Sequence, residues 1–180
     1  MKYYYHPASP NCRKVSVLLE MLSLEAEYEF VDLAKGKQAA PAFLAVNPNG
    51  MVPALVDGNR TVLESNCILI YLAEKAGSDL WSDEHKIEIL QWMFWEQSHF
   101  MFATGTLFFH KLLKPMMGQE SDEARIEEAE AKFSRHARAL DDHLKDHRWL
   151  VADRMTLADL AVAAELTYAD ACGLPLDDFP

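Results

Sequence analysis

The 180-residue sequence predicts an α/β unit built on a small mixed sheet, followed by an all-helical unit. Two observations carry this prediction. The first part of the chain orders its apolar runs as β-α-β-α-β-β-α, punctuated by Pro and Gly, and the periodicity turns helical throughout after a short polar stretch, Gly77 to Asp83. The expected organisation is residues 1–76 as the α/β unit, 77–84 as a linker and 85–180 as the helical unit.

Each element follows in order. Lys2 to His6 is an aromatic, strand-like run, the helical repeat from Lys14 to Leu22 comes after Ser9-Pro10-Asn11-Cys12-Arg13, and Tyr28 to Leu33 is a second strand. Ala39 to Val46 fits a short helix that the turn Asn47-Pro48-Asn49-Gly50 ends. Val52 to Asp57 and Thr61 to Leu63, separated by Gly58-Asn59, form a hairpin, and Ser65 to Lys75 is a helix. In the second part a helix is expected from about Glu84 to Leu113, ended by Lys114-Pro115, with Trp81 buried just before it. Its aromatic residues, Trp92, Phe94, Trp95, Phe100, Phe102, Phe108 and Phe109, are expected to be mostly core. Asp122 to about Asp146 keeps Ala129, Phe133, Ala137, Leu140 and Leu144 on one face, and Thr156-Leu157-Ala158-Asp159 is a capping box opening a last helix, with Met155 and Leu160 as its staple.

Composition excludes some classes of function. The net charge of −11 comes from the second part, which holds 10 Lys and Arg against 20 Asp and Glu over residues 77–180, compared with 7 against 8 over residues 1–76. Such a surface repels phosphate backbones and anionic lipid, so no nucleic-acid or membrane partner is expected. No apolar stretch approaches a membrane span and no signal-peptide pattern opens the chain, which points to the cytoplasm. Cys12, Cys67 and Cys172 are odd in number and widely spaced, so neither a disulfide scaffold nor a zinc module is expected.

Three constellations carry chemistry. Ser9-Pro10-Asn11-Cys12 is the outline of the Cys-Pro-x-Cys redox turn of a thioredoxin-like fold, with a hydroxyl where the attacking thiol would stand. At the amino end of a helix, that hydroxyl can donate to another molecule's thiolate. Val52-Pro53 places a proline at a strand start, as a cis peptide would, which frees the preceding backbone to pair with an extended peptide. Glu64-Ser65 sets a carboxylate and an N-cap hydroxyl at a strand-to-helix junction, suited to an ammonium beside a carboxylate. A ligand with a thiol, a peptide backbone and an amino-acid head satisfies all three, and glutathione is such a ligand. Taken singly, Ser9 is a plain N-cap and Cys12 a buried, inert thiol.

Together, Ser9-x-x-Cys12-Arg13, Asn47-Pro48-x-Gly50-x-Val52-Pro53-Ala54-Leu55, Glu64-Ser65 with Ile70-Tyr71-Leu72, and Thr156-Leu157-Ala158-Asp159 resemble the soluble glutathione transferase superfamily over nearly the whole chain. The resemblance is nearest to bacterial serine-type and theta/delta-like classes. It implies a thioredoxin-like domain with a helical domain, and an enzyme that stabilises the glutathione thiolate for attack on a hydrophobic electrophile or peroxide. In that reading Ser9 and Asn11 are catalytic. Gln38, Met51, Val52, Pro53, Glu64 and Ser65 bind glutathione as co-substrate, without a metal, and Phe102, Phe108 and Phe109 line a second-substrate pocket between the domains. Gly50-Met51 stands where many relatives carry His or Lys against the glycyl carboxylate; Gln38, with Lys35 or Lys37, is the expected substitute. Asn66 stands where some relatives carry an arginine, and relatives continue beyond the position of Pro180 into one or two more helices. A homodimer through the helix after Glu64-Ser65 and the long fourth helix is also implied. The rival functions are glutathione-dependent disulfide or peroxide reduction and a catalytically silent binding module.

Arg13 is expected to cap its helix face or to pair with Glu64 or a carboxylate of the second part. His136, His143 and His147 share one face of the fifth helix, where a solvated surface is expected rather than a metal site.

Overall fold

A computed structural model describes residues 1–179. The chain divides into two compact units, Met1–Ser82 and a second beginning at Asp83. In the first, β1 (Lys2–Tyr5), α1 (Pro10–Met21), β2 (Glu27–Phe30), a 3-10 turn (Lys37–Ala39), α2 (Pro41–Leu44), β3 (Ala54–Asp57), β4 (Arg60–Leu63) and α3 (Ser65–Ala76) follow in the predicted order. The sheet runs β2-β1-β3-β4, with β1 parallel to β2 and antiparallel to β3, and β3 antiparallel to β4. The parallel pair requires a crossover, which α1 supplies.

Helix α1 forms because Ser9 caps it, Pro10 fits its first turn, and Cys12, Val15, Leu18 and Leu19 recur on one buried face. That face packs on α3, whose Ile68, Leu69 and Leu72 are fully buried. Each such aliphatic side chain stabilises the unit by about 1.5–3 kcal/mol. Strand β2 is the exposed edge, and Glu27 and Glu29, both reached by Lys2 Nζ, blunt it. Trp81, expected to be buried, is half-exposed and donates its indole N–H to Glu74 at 3.2 Å.

In the second unit, α4 (Lys86–Trp95), a π-turn (Glu96–Phe100), α5 (Met101–Phe108), a second π-turn (Phe109–Leu113) and α6 (Lys114–Met116) replace the single uninterrupted helix expected. The stretch ends at Met116, one residue past Pro115, which has no N–H to give the helical ladder and lies just past the second π-turn. The aromatic residues are not mostly core. Only Phe100 is fully buried, whereas Phe94, Phe102 and Phe109 are exposed. The buried stripe instead runs through Ile89, Met93, Glu96, Phe100, Ala103, Leu107 and His110, three or four residues apart. Polar members hold their places by hydrogen bonds: the His110 Nδ1 accepts the backbone N–H of Asp122 at 3.1 Å, and Ser121 Oγ donates to the His110 carbonyl.

Helix α7 (Glu123–Leu144), capped by Asp122, buries Ile126, Ala129, Phe133, Ala137 and Leu140. Leu144, expected on that face, is exposed in the last turn. His136 and His143 share a face of α7, meeting Trp95 at 5.9 Å and Trp92 at 4.9 Å, and His147, just beyond the helix, stacks on His143 at 4.5 Å; the face is half-buried against α4 at its first two members rather than solvated. The capping box of α8 (Leu157–Glu165) is present: Asp159 accepts the Thr156 N–H at 2.7 Å and Thr156 Oγ1 accepts the Ala158 N–H at 3.3 Å. Asp159 also accepts the Leu150 N–H at 2.8 Å, which ties down the preceding loop. A short α9 (Ala169–Cys172) follows. No helix is long and apolar enough to cross a membrane, among the described residues.

Candidate functional site

The site is built on the heads of α1 and α3. Ser9 has an extended backbone (φ −86°, ψ 121°), and its Oγ accepts the Cys12 N–H at 3.3 Å. The cap uses an oxygen lone pair, and the hydroxyl hydrogen is within reach of the Cys12 thiol. Helix dipole and unpaired N–H groups favour negative charge at this point.

Asn11 and Ser65, both singled out from the sequence, meet directly: Ser65 Oγ donates to Asn11 Oδ1 at 2.9 Å. Ser65 is buried, and Glu64 beside it is exposed with a left-handed backbone, φ 65° and ψ 122°. A non-glycine residue held there costs on the order of 1–3 kcal/mol, and such positions cluster at ligand clamps. Motif reading found Glu64 but not this conformation, which no residue type announces.

Lys14 was missed altogether. It is 1% exposed, and its ammonium donates to Asn66 Oδ1 at 2.8 Å, so a second link joins α1 to α3 beside the Asn11–Ser65 bond. A buried cation thus stands next to Asn66, the position noted for lacking arginine. Its signal was present: Lys14 lies four residues before Leu18, on the buried stripe.

The remaining candidates gather on the segment before β3. The Val52-Pro53 peptide is cis, Pro53 is buried, and Val52 lies outside the sheet ladder. Met51 is exposed while its carbonyl accepts from the buried Asn47 Nδ2 at 2.6 Å. Gly50 has φ 62°, and a Cβ there would meet the Gln38 carbonyl oxygen at 3.1 Å, so only glycine lets these two loops close together. Gln38 Oε1 is buried with no hydrogen-bond partner among the described residues, an acceptor ready for a donor. Of the two lysines expected to help it, Lys35 is committed to Asp32 at 3.0 Å.

Arg13 pairs its Nε with the Pro7 carbonyl at 2.8 Å, bracing the turn that carries Ser9. Cys12 is buried, and desolvation pushes its thiol above the ordinary value, against weaker opposing hydrogen bonds from the His6 N–H and from Ser9 and Tyr3. A protonated, enclosed thiol is a poor nucleophile. Phe102, Phe108 and Phe109 each have their own partner: Lys132 Nζ lies 5.0 Å over the Phe102 ring, Phe108 packs on Tyr168 at 4.7 Å, and Phe109 meets the His110 edge at 5.4 Å. Among the described residues no cluster of three or more His, Cys, Asp or Glu is arranged to hold a metal.

Fold and site together define a two-unit protein whose thioredoxin-like half offers a hydroxyl, not a thiol, at its helix head. Known proteins agree. Residues 4–79 match the glutathione S-transferase N-terminal domain and residues 102–180 the glutathione S-transferase C-terminal domain. The chain is 35% identical over 165 residues to glutathione S-transferase 3 of Zea mays, covering 88% of this chain and 73% of that one. It is also similar to the structure of a glutathione S-transferase I bound to lactoylglutathione, with TM-score 0.89 and 27% identity over 99% of this chain and 88% of that one. A Pseudomonas putida glutathione transferase with glutathione disulfide bound gives TM-score 0.85 and 27% identity over 96% and 76%. The chain belongs to the glutathione S-transferase family.

Proposed function

We propose that this protein is a glutathione transferase that binds glutathione at the heads of α1 and α3 and activates its thiol with Ser9. The observation that carries the reading is the Ser9 hydroxyl itself, which caps α1 through oxygen and can turn its hydrogen from the Cys12 thiol to an arriving sulfur. Glutathione's thiol is mostly protonated at neutral pH. A charge-assisted hydrogen bond plus the helix dipole lowers the cost of the thiolate. The thiolate then attacks an electrophilic carbon, forming a C–S bond as the leaving group departs with its electron pair. With a peroxide, the sulfur takes one oxygen, the other leaves as alcohol, and a second glutathione resolves the product to disulfide.

Asn11, oriented by Ser65, is the second group offered to the sulfur. Val52 supplies the backbone for the cysteinyl unit, with Met51 and Pro53 flanking it. Glu64 takes the γ-glutamyl ammonium and the Ser65 N–H its carboxylate at the head of α3. Gln38 Oε1 accepts the glycyl N–H, and Lys37 is the cation at hand for the glycyl carboxylate. Of the three phenylalanines proposed for the second substrate, Phe108, half-buried on Tyr168, has the strongest support, because Phe102 and Phe109 lie on more exposed surface. The narrower placement among bacterial serine-type or theta/delta-like members is supported only by the Ser9 hydroxyl. A homodimer and a cytoplasmic setting are further parts of the proposal.

A substrate panel tests it. Conjugation of aryl halides or reduction of organic hydroperoxides with glutathione is expected. Turnover confined to hydroxyethyl disulfide, or none at all, overturns the reading in favour of a disulfide reductase or a silent module.

A further inference from the structure

Among the described residues, strand β2 pairs only with β1 and leaves its other side open. The Glu27 N–H donates to the Met1 carbonyl and the Val31 N–H to the Tyr5 carbonyl, each at 2.9 Å. In a parallel ladder the groups bonded to one neighbour come from alternate residues. The N–H and C=O groups of Tyr28 and Phe30 therefore point away from β1, a short row of strand-pairing groups turned to solvent.

The two faces of this edge differ. Tyr28 and Phe30, 44% and 51% exposed, stand on the same face as Tyr3 and Tyr5. Tyr28 meets both tyrosine rings edge-on at 5.2 Å, and Phe30 meets Tyr5 at 6.3 Å and His6 at 5.4 Å. Tyr3 is fully buried and its hydroxyl donates to the Cys12 carbonyl at 2.6 Å, so this exposed aromatic shelf is fixed from behind. The opposite face carries Glu27 and Glu29, which share the Lys2 ammonium at 3.5 and 2.9 Å.

Negative charge is concentrated here. Glu20, Glu25, Glu27 and Glu29 are half of the 8 acidic residues of positions 1–76, and no Lys or Arg occurs from Val15 to Ala34. Glu20, Glu25 and Glu27 line an open hollow of about 930 Å³ at the start of β2, to which Tyr28 also contributes. A second copy of β2 laid against the first would set these carboxylates against one another, so the edge does not suit its own kind. It suits an extended segment that brings cations.

We propose that β2 is a docking edge for a basic, extended segment of another protein, one that alternates apolar residues with Lys or Arg and adds antiparallel to β2 through the backbone groups of Tyr28 and Phe30. Its apolar side chains lie on the Tyr28–Phe30 shelf, and its cations face Glu27 and Glu29 and reach Glu20 and Glu25 in the hollow. Main-chain pairing supplies affinity, and the unlike faces supply register and select for charge. The edge uses none of the residues assigned to glutathione. Neither α3 nor the stretch from Lys86 to Met116, through which the homodimer is proposed, contributes to it.

The test is titration of the full chain with an acetylated, amidated heptapeptide of alternating Lys and Val, with amide hydrogen exchange followed in the complex. Saturable binding of one peptide per chain is expected, with exchange of the Tyr28 and Phe30 amides slowed about tenfold or more. Glu25→Gln and Glu27→Gln, both exposed, are each expected to weaken binding about two- to fivefold, as for the loss of a surface ion pair. Glu84→Gln, in the second unit, is expected to leave it unchanged. The same peptide methylated on its valine nitrogens, which cannot donate to the edge, is expected not to bind. Absence of saturable binding overturns the proposal, as does equal affinity for the methylated peptide or for its Glu and Val counterpart. So do Tyr28 and Phe30 amides that exchange in the complex as in the free chain, or wild-type affinity when Glu25 and Glu27 are both replaced by Gln.

Discussion

The heads of α1 and α3 and the long interrupted helical stretch from Lys86 to Met116 make opposite demands on the sequence. At the helix heads, functional groups hang on chain ends whose direction is set by a cap, a proline and a turn, so a few adjacent residues specify the geometry. Along the helical stretch, geometry depends on which of two stripes faces inward. Phe94, Phe102 and Phe109, seven or eight residues apart, form an apolar stripe as regular as the buried one, which accepts Glu96 and His110. Helical spacing identifies a stripe; partners for its polar members decide which one is buried.

The largest expected effect tests the helical side of this contrast. Phe133→Ala removes the ring beneath Phe100 and should cost about 3–5 kcal/mol in chemical denaturation. Phe102→Ala, at the outward stripe, should fall within about 0.5 kcal/mol of wild type. Equal losses would erase the distinction between the stripes.

Ser9→Ala comes next. Loss of a hydrogen bond to a charged sulfur should lower kcat/KM for conjugation roughly 10- to 150-fold, while loss of the cap costs about 1 kcal/mol of stability. Ser9→Thr should recover most of the activity. An alanine variant with wild-type turnover would shift the role to Asn11.

Glu64→Gly sharpens the comparison because its two effects carry opposite signs. Relief of the left-handed backbone should stabilise the chain by on the order of 1 kcal/mol, and loss of the carboxylate should raise the KM for glutathione. Stability and affinity falling together would mean that Glu64 holds α3 rather than the ligand.

The smallest effect concerns Cys12. Its folded pKa is raised by burial, so its contribution to stability is complete below the unfolded thiol value of 9.0 and declines as pH rises above it. Stability should therefore fall more steeply above pH 9 in the wild type than in Cys12→Ala. Identical slopes would indicate an accessible thiol.

Much of the first unit was legible in the sequence. Ser9-Pro10, Gly58-Asn59 and Glu64-Ser65 each mark an element end with residue types suited to it, and the β-α-β-α-β-β-α order follows from them. The left-handed Glu64 was not legible, since it depends on backbone strain without a glycine, and of Lys14 the sequence showed a charge on the buried stripe but not its partner 52 residues away. In the second unit the capping box was plain, because Thr156 and Asp159 are local partners. The π-turns, the inward stripe and the His99–His136 pair depend on contacts between helices, which periodicity alone does not encode.

The proposed thiol activation is tested most directly by following the thiolate absorbance of bound glutathione against pH, in the wild type and in Ser9→Ala. The bound thiol should titrate well below free glutathione in the wild type and move back toward the free value in the variant. A wild-type complex whose thiol titrates no lower than free glutathione would contradict the role given to the head of α1.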